Sequence, residues 1–108
     1  MISVKIERNA TGNICGYEVS NHGGNEVCAA VSLLTLNTAN SVEALLDNEP
    51  FNCDYDPEGG YLRLELPLVK DNKNCKDVNL LMESMLLGLM SVKENYSDEI
   101  EIEDDKND

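Results

Sequence analysis

The sequence is poor in basic residues and lacks long apolar runs. Eight lysines and arginines stand against 21 aspartates and glutamates, which gives a formal net charge of −13. Because such a surface repels phosphate backbones, we do not expect direct nucleic-acid binding through a basic patch. No run of about 18 apolar residues occurs, and no membrane span is expected. The opening "MISVKIER" does not have the pattern of a signal peptide, which favours a cytoplasmic protein.

Metal-binding patterns are also missing. The chain has one histidine and four dispersed cysteines, none of them in a CxxC pair. This distribution matches no zinc finger or ribbon, and we expect neither a metal nor another cofactor. In a cytosolic chain, scattered cysteines are usually free thiols. Three of them fall on apolar strand faces or at a helix start, which favours structural roles for Cys15, Cys53 and Cys75.

The first half of the chain predicts a hairpin followed by a long helix. Residues 2–8 and 14–20 alternate apolar and polar side chains around the turn-rich residues 9–13, which indicates two antiparallel strands. From Val27 to position 45, apolar residues recur every three or four positions, as in an amphipathic helix. Asn25 is its expected N-cap. Further apolar positions widen the stripe, and we expect this helix to be covered on more than one side.

The second half repeats this order. Residues 51–68 predict another hairpin, in which Phe51, Cys53 and Tyr55 alternate with polar residues. A second helix is expected over residues 75–92, with Asn74 as its cap, and a short strand within residues 96–104. The resulting ββαββαβ order is an α+β domain with a mainly antiparallel sheet and two helices packed on it. We expect one domain over residues 1–104 and an acidic tail over residues 105–108.

The stretch "SNHGGNEVCAAVSLL", residues 20–34, carries the main candidates for chemistry. His22 follows the second strand, and Cys28 falls in the first turn of the long helix. Unpaired N–H groups and the helix dipole favour an anion there, which suits a thiolate nucleophile with a histidine base. The same spacing is also typical of a buried cysteine beside a loop histidine, because cysteine is among the most buried residue types.

The same stretch resembles the ribosomal-processing cysteine proteases (the Prp family), small bacterial enzymes. The resemblance rests on the run "VCAAVS" at residues 27–32, on His22 and Gly23 before it, and on the "GG-Y-L-x-L-x-L" pattern of the second hairpin. It covers nearly the whole chain, and the ββαββαβ order fits it. Asn21 and Asn25 stand where the family has glycine and aspartate, and the loop between the histidine and the cysteine is shorter than in the family.

This resemblance implies a cysteine endopeptidase that removes the N-terminal extension of large-subunit ribosomal protein bL27 and forms homodimers. Cys28 would be the nucleophile and His22 the base. Backbone N–H groups at the helix start would hold the oxyanion, with support from Gly23, Gly24, Ala29 and Ser32. The acidic surface would attract the basic ribosomal protein. The shortened loop predicts reduced activity, and the alternative is a non-catalytic acidic module that binds a basic ribosomal protein.

Overall fold

The computed structural model describes residues 1–105, with the backbone alone at residue 75. Within them, one five-stranded sheet has the strand order β3-β4-β2-β1-β5. Strands β1 and β5 run parallel, and the other neighbouring pairs are antiparallel. The elements are β1 (Ile2–Arg8), β2 (Ile14–Ser20), α1 (Asn25–Leu45), β3 (Asn52–Tyr55), β4 (Tyr61–Glu65), α2 (Pro67–Lys70), α3 (Cys75–Asn95) and β5 (Ile100–Asp104). The predicted α+β class is confirmed.

The core lies between the sheet and the two long helices. Alternation in β1 directs Ile2, Val4 and Ile6 inward, and all three side chains are at most 2% exposed. Helix α1 contributes residues one turn apart, such as Val27 and Val31, to the same core. Full burial of a side chain of this size contributes about 1.5–3 kcal/mol. This packing fixes α1 against the sheet and therefore fixes the position of the helix start.

Tyr17 anchors α1 to the centre of the sheet. Its side chain is fully buried, and its hydroxyl donates a hydrogen bond of 2.6 Å to the carbonyl oxygen of Thr35. Burial raises the pKa of this phenol far above its ordinary value. A buried hydroxyl without a partner would cost about 1–3 kcal/mol, and the bond to Thr35 removes that penalty.

Three expectations about the helices were wrong. The N-cap of α1 is Gly24 rather than Asn25, and it makes no side-chain capping bond. The wide apolar stripe of α1 is not covered on several sides, since Leu33 and Leu36 are 71% and 44% exposed. A single helical turn, α2, begins at Pro67 within residues that were expected to end the second hairpin. Proline suits that position because the missing N–H is unpaired there in any case. Asn74 does precede α3, without a side-chain cap bond.

Strand β3 also differs from its prediction. The register pairs Cys53 with Leu64 and Tyr55 with Leu62. The side chains of Cys53 and Tyr55 therefore point to the helix side of the sheet. All four residues of β3 are nevertheless exposed, because the strand lies at the sheet edge. Cys53 therefore lies on the predicted face of the strand without being buried, and its structural role stays a prediction. Cys15 is partly buried against the core, as expected, and the side chain of Cys75 lies outside the described residues.

The chain end was predicted as an acidic tail over residues 105–108. The N–H of Asp105 donates a hydrogen bond of 3.0 Å to the carbonyl oxygen of Ile6, which continues the contact between β5 and β1. Residues 106–108 lie outside the described residues. The division into a domain over residues 1–104 and a tail stays a prediction.

Candidate active site

A cavity of about 220 Å³ opens beside the start of α1. His22 and Cys28 both contribute to its wall, as do the end of β3 and the turn between β3 and β4. Most of the remaining wall is apolar and includes Ile2, Val19, Val31, Leu36, Tyr55 and Leu62. The two residues that the sequence singled out therefore face one largely apolar cleft that is open to solvent. Such a cleft is the usual form of a small-ligand or peptide subsite.

Cys28 is the fourth residue of α1 and is half-buried. Its N–H already donates a helical hydrogen bond of 2.9 Å to the carbonyl oxygen of Gly24. The N–H groups of the three preceding helical residues, 25–27, have no partner within the helix. They are donors of the kind that bind an anion at a helix start, although none of these three residues lines the cavity.

The sulfur of Cys28 pairs with the backbone of Gly23. The Gly23 N–H donates to Sγ over 3.3 Å, and Sγ lies 3.5 Å from the Gly23 carbonyl oxygen as a donor. The loop thus folds back over the first turn of the helix and holds the thiol at its edge. No hydrogen bond joins the sulfur to His22 in the part of the chain that the structure describes.

His22 is exposed and lies two residues after Ser20, the last residue of β2. The preceding residue, Asn21, has φ 72, in the left-handed region. Glycine and asparagine are the residues that accept this conformation most readily. The asparagine at this position therefore suits the left-handed backbone that leads into His22. Asn21 also donates its N–H to the carbonyl oxygen of Gly60 over 3.0 Å.

The other predicted supporting residues occupy different places. The Gly24 N–H donates a 2.9 Å hydrogen bond to Oε1 of Glu99 and is therefore already paired. Ser32 is exposed and contributes to the cavity wall one turn after Cys28. Ala29 is exposed and does not line this cavity. Its N–H lies beyond those of residues 24–27, the four at the helix start that lack helical partners.

Sequence reasoning missed two side chains that fasten the helix start. Glu99, in the connection before β5, binds the Gly24 N–H through its side chain and the Ile2 N–H through its carbonyl oxygen. Tyr96 donates its hydroxyl to Oε2 of Glu26 over 2.8 Å, and this bond raises the pKa of Tyr96. Both are more than 65 residues from their partners, and no local pattern indicates such contacts. A carboxylate at a helix N-terminus is favourable because the dipole is positive there.

The described residues offer no cluster of three or more histidine, cysteine, aspartate or glutamate side chains that could hold a metal ion. Over the same residues, no helix is long and apolar enough to cross a membrane. Among the side chains that line the cleft, the Cys28 thiol can act as a nucleophile and the His22 imidazole as a base. Together they can support nucleophilic attack and proton transfer on an acyl group.

Comparisons with known proteins identify relatives that are cysteine proteases. The family model described as cysteine protease Prp matches residues 1–101. The ribosomal processing cysteine protease Prp of Bacillus subtilis (strain 168) is 29% identical over 108 residues, which cover 94% of this chain and 96% of that protein.

Two solved structures are also similar. The crystal structure of SMU.848 from Streptococcus mutans is 31% identical, with a TM-score of 0.81 over 96% of this chain and 93% of that chain. The essential ribosomal processing protease Prp from S. aureus, solved with a covalently linked product peptide, shares the fold with a TM-score of 0.82 at 24% identity, over 96% and 99% of the two chains. Since the family model spans nearly the whole sequence, this chain belongs to the cysteine protease Prp family.

Proposed function

We propose that this chain is a cysteine endopeptidase that removes the N-terminal extension of large-subunit ribosomal protein bL27, with Cys28 as nucleophile and His22 as base. The observation that carries the proposal is that both side chains face one cavity at the amino end of α1. Solved structures of the S. aureus protease with a substrate peptide and with a covalently linked product peptide support a peptide as the ligand of this cleft.

The reaction proceeds in two steps. His22 takes the thiol proton of Cys28, and the sulfur attacks the scissile carbonyl carbon as a thiolate. The carbonyl oxygen becomes an oxyanion near the N–H groups at the start of α1. Collapse of this intermediate breaks the carbon–nitrogen bond, while His22 gives a proton to the leaving amine. A water molecule then transfers a proton to His22 and attacks the thioester carbon. The carbon–sulfur bond breaks, and the acid product leaves.

The sulfur must leave its partner before it can react. In the structure, Cys28 Sγ pairs with the backbone of Gly23, and the five residues between the histidine and the cysteine leave little freedom. We therefore propose reduced activity, because a substrate must shift this short loop before the sulfur and the imidazole can share a proton. Gly23 acts in this opening. Gly24 supports the helix start through Glu99, and Ser32 contributes to the cleft wall.

The proposed partner is a basic protein. The formal net charge of −13 favours encounter with a ribosomal protein and disfavours nucleic acid. Ribosome assembly in the cytoplasm is the setting in which such a substrate would be met. We also propose a homodimer. Its support is a set of apolar side chains on α1 and α3 that are more than half exposed, namely Leu33, Leu45, Leu80, Leu87 and Met90.

A pair of cysteine variants tests the nucleophile. Cleavage of a peptide spanning the extension junction should fall at least about 1,000-fold in C28A, because the covalent step is lost. C53A is the matched control, since Cys53 is an exposed thiol outside this cavity, and its kcat/KM should stay within about twofold. Equal cleavage by wild type and C28A would refute the assignment.

A histidine variant tests the base. H22A should reduce cleavage of the same peptide by about 100–10,000-fold.

A second candidate function is a non-catalytic acidic module that binds a basic ribosomal protein. It is favoured by the sulfur's pairing with Gly23 and by the absence, among residues 1–105, of a hydrogen bond between Sγ and the imidazole. Calorimetric titration of extended bL27 at two salt concentrations separates the two functions. Tight, salt-sensitive binding without any cleavage at high enzyme concentration would favour the module, and turnover would exclude it.

A further inference from the structure

We infer that Gly60 is a positioning residue for His22: its bare α-carbon is the surface against which the imidazole rests, and any side chain there would displace the ring from the cleft. Gly60 lies in the turn formed by residues 56–60 between β3 and β4, here called the site turn. The inference rests on the proposed function only for its effect on catalysis, because the contact itself is independent of the reaction.

The distances show how closely the two residues approach. A β-carbon added to Gly60 would lie 2.6 Å from Nε2, 3.0 Å from Cε1 and 3.5 Å from Cδ2 of His22. Real β-carbons essentially never approach other atoms to less than 3.0 Å. All three nearest atoms belong to one exposed imidazole and none to the backbone. Since an exposed side chain moves more easily than a backbone, the ring is the group that would yield.

The backbone couples the same two places. The carbonyl oxygen of Gly60 accepts the N–H of Asn21, the residue directly before His22, over 3.0 Å. Gly60 therefore binds the residue before His22 through its backbone and lies next to the Nε2 edge of the His22 ring. Gly60 also has φ +87, which glycine adopts at no steric cost. Both its conformation and its surroundings disfavour a side chain.

The site turn is held in shape by its own hydrogen bonds. The carbonyl oxygen of Asp56 accepts the Gly59 N–H over 2.9 Å, and its Oδ1 accepts the Glu58 N–H over 2.9 Å. The Asp56 N–H donates to the Tyr61 carbonyl oxygen at the base of the hairpin over 3.1 Å. A turn fixed in this way presents Gly60 at a constant position. The imidazole makes no hydrogen bond within residues 1–105, and this steric contact is what locates it.

Three glycine substitutions isolate the contact from backbone strain. G60A introduces strain at φ +87 and the clash with the ring, whereas G12A introduces the same strain at φ +90 in the other hairpin with no atom within 4 Å. G59A, at φ +91, would place its β-carbon 4.0 Å from the ring, an ordinary contact. The expected kcat/KM falls by about 10–100-fold for G60A, because misplacement of a reacting group by about 1 Å has this effect. G12A should match wild type within about twofold, and G59A should lie between them.

The single histidine of the chain provides a readout that does not depend on activity. Its Cε1–H resonance can be followed by NMR without assignment of other histidines. We expect G60A to shift this resonance and G12A to leave it unchanged, while their free energies of unfolding fall by similar amounts. If G60A does not fold, G60N replaces it, because asparagine accepts a left-handed φ yet still carries the β-carbon.

The outcomes separate this inference from the proposed function. If G60A and G60N leave both the resonance and cleavage as in G12A, Gly60 does not position His22 and the inference is wrong. If wild type never cleaves but the resonance shifts in G60A alone, the contact stands and the protease proposal fails. In an H22A background, G60A should lower residual cleavage no more than G12A does, since the group through which Gly60 acts is gone. A larger loss there would also contradict the inference.

Discussion

The two hairpin turns of the sheet share a glycine with a left-handed φ but differ in what surrounds it. Gly12 has φ +90, and a β-carbon there would meet nothing within 4 Å. Gly60 has nearly the same φ, +87, and lies directly against the ring of His22. The conformational requirement for glycine is therefore equal in both turns, and only the second adds a requirement from the cleft. A glycine with a left-handed φ thus serves only to reverse the chain at Gly12, whereas at Gly60 it also leaves room for the His22 ring in the cleft.

The means of attachment differ as well. In the first turn, residues 9–13, Asn9 Oδ1 accepts the N–H groups of Thr11 and Asn13, and its Nδ2 donates to the Val69 carbonyl oxygen over 2.7 Å. Arg8, which also pairs with Asp104 at 2.7 Å, donates to the Gly12 carbonyl oxygen. In the site turn, Asp56 makes the internal bonds, and Gly60 reaches the neighbouring loop through its backbone. Changes in the first turn should therefore affect stability, and changes in the site turn should affect activity.

The largest expected effect concerns the strands that carry the site turn. Leu64 on β4 is fully buried, while its register partner Cys53 on β3 is exposed. L64A should lower the free energy of unfolding by about 2–5 kcal/mol, through lost burial and the cavity left behind. C53A should change it by less than about 0.5 kcal/mol. Urea denaturation followed by circular dichroism measures both. An equal loss in C53A would show that both strands, and not β4 alone, hold the site turn.

A smaller effect separates the two turns directly. N9A should lower the free energy of unfolding by about 1–3 kcal/mol, because several bonds to backbone groups are lost together, while kcat/KM stays within about twofold. D56A removes one exposed side-chain bond and should cost less than about 1 kcal/mol. It should nevertheless lower kcat/KM by about 3–10-fold, because the turn that presents Gly60 loosens. If N9A reduced activity more than D56A, the division of roles between the turns would be wrong.

Sequence patterns predicted those parts of the fold whose causes are local. Alternation located β1 and β2, and the apolar repeat located α1 and α3, because each side chain's burial follows from its own element. Exposure of β3 escaped the same reasoning, since Cys53 and Tyr55 alternate correctly but lie at an edge. Periodicity specifies which face a residue occupies. Whether another element covers that face depends on the order of strands in the sheet.

The site shows the same limit. Cys28 and His22 were recognisable because they lie close together in the sequence, and both face the cavity. Gly60 was not recognisable as a neighbour of His22, nor Glu99 as a partner of Gly24, since 38 and 75 residues separate them. A short motif can therefore indicate the reacting groups. The residues that position those groups are brought next to them by tertiary packing, which a short motif does not reveal.

The smallest expected effect is a pH-dependent change in the free energy of unfolding that differs between Cys15, in the first hairpin, and Cys53, in the second. Burial, with the nearby Glu7 carboxylate, raises the pKa of Cys15, and burial also raises that of Cys53. An unfolded cysteine ionises near pH 8.5. Above that pH the unfolded chain loses the Cys15 proton before the folded chain does, so the free energy of unfolding falls with rising pH.

Unfolding at steps from pH 7 to 10, in reductant, therefore measures this contribution. The difference in free energy of unfolding between wild type and C15A should decline across this range. The packing loss in C15A is the same at every pH, so only the ionisation of the Cys15 thiol changes the difference. The same difference for C53A should decline less, since that side chain is more exposed. If the difference for C15A stayed level or rose, or declined no more than that for C53A, the comparison would fail. The Cys15 thiol of the first hairpin would then be no better shielded from water than the Cys53 thiol of the second.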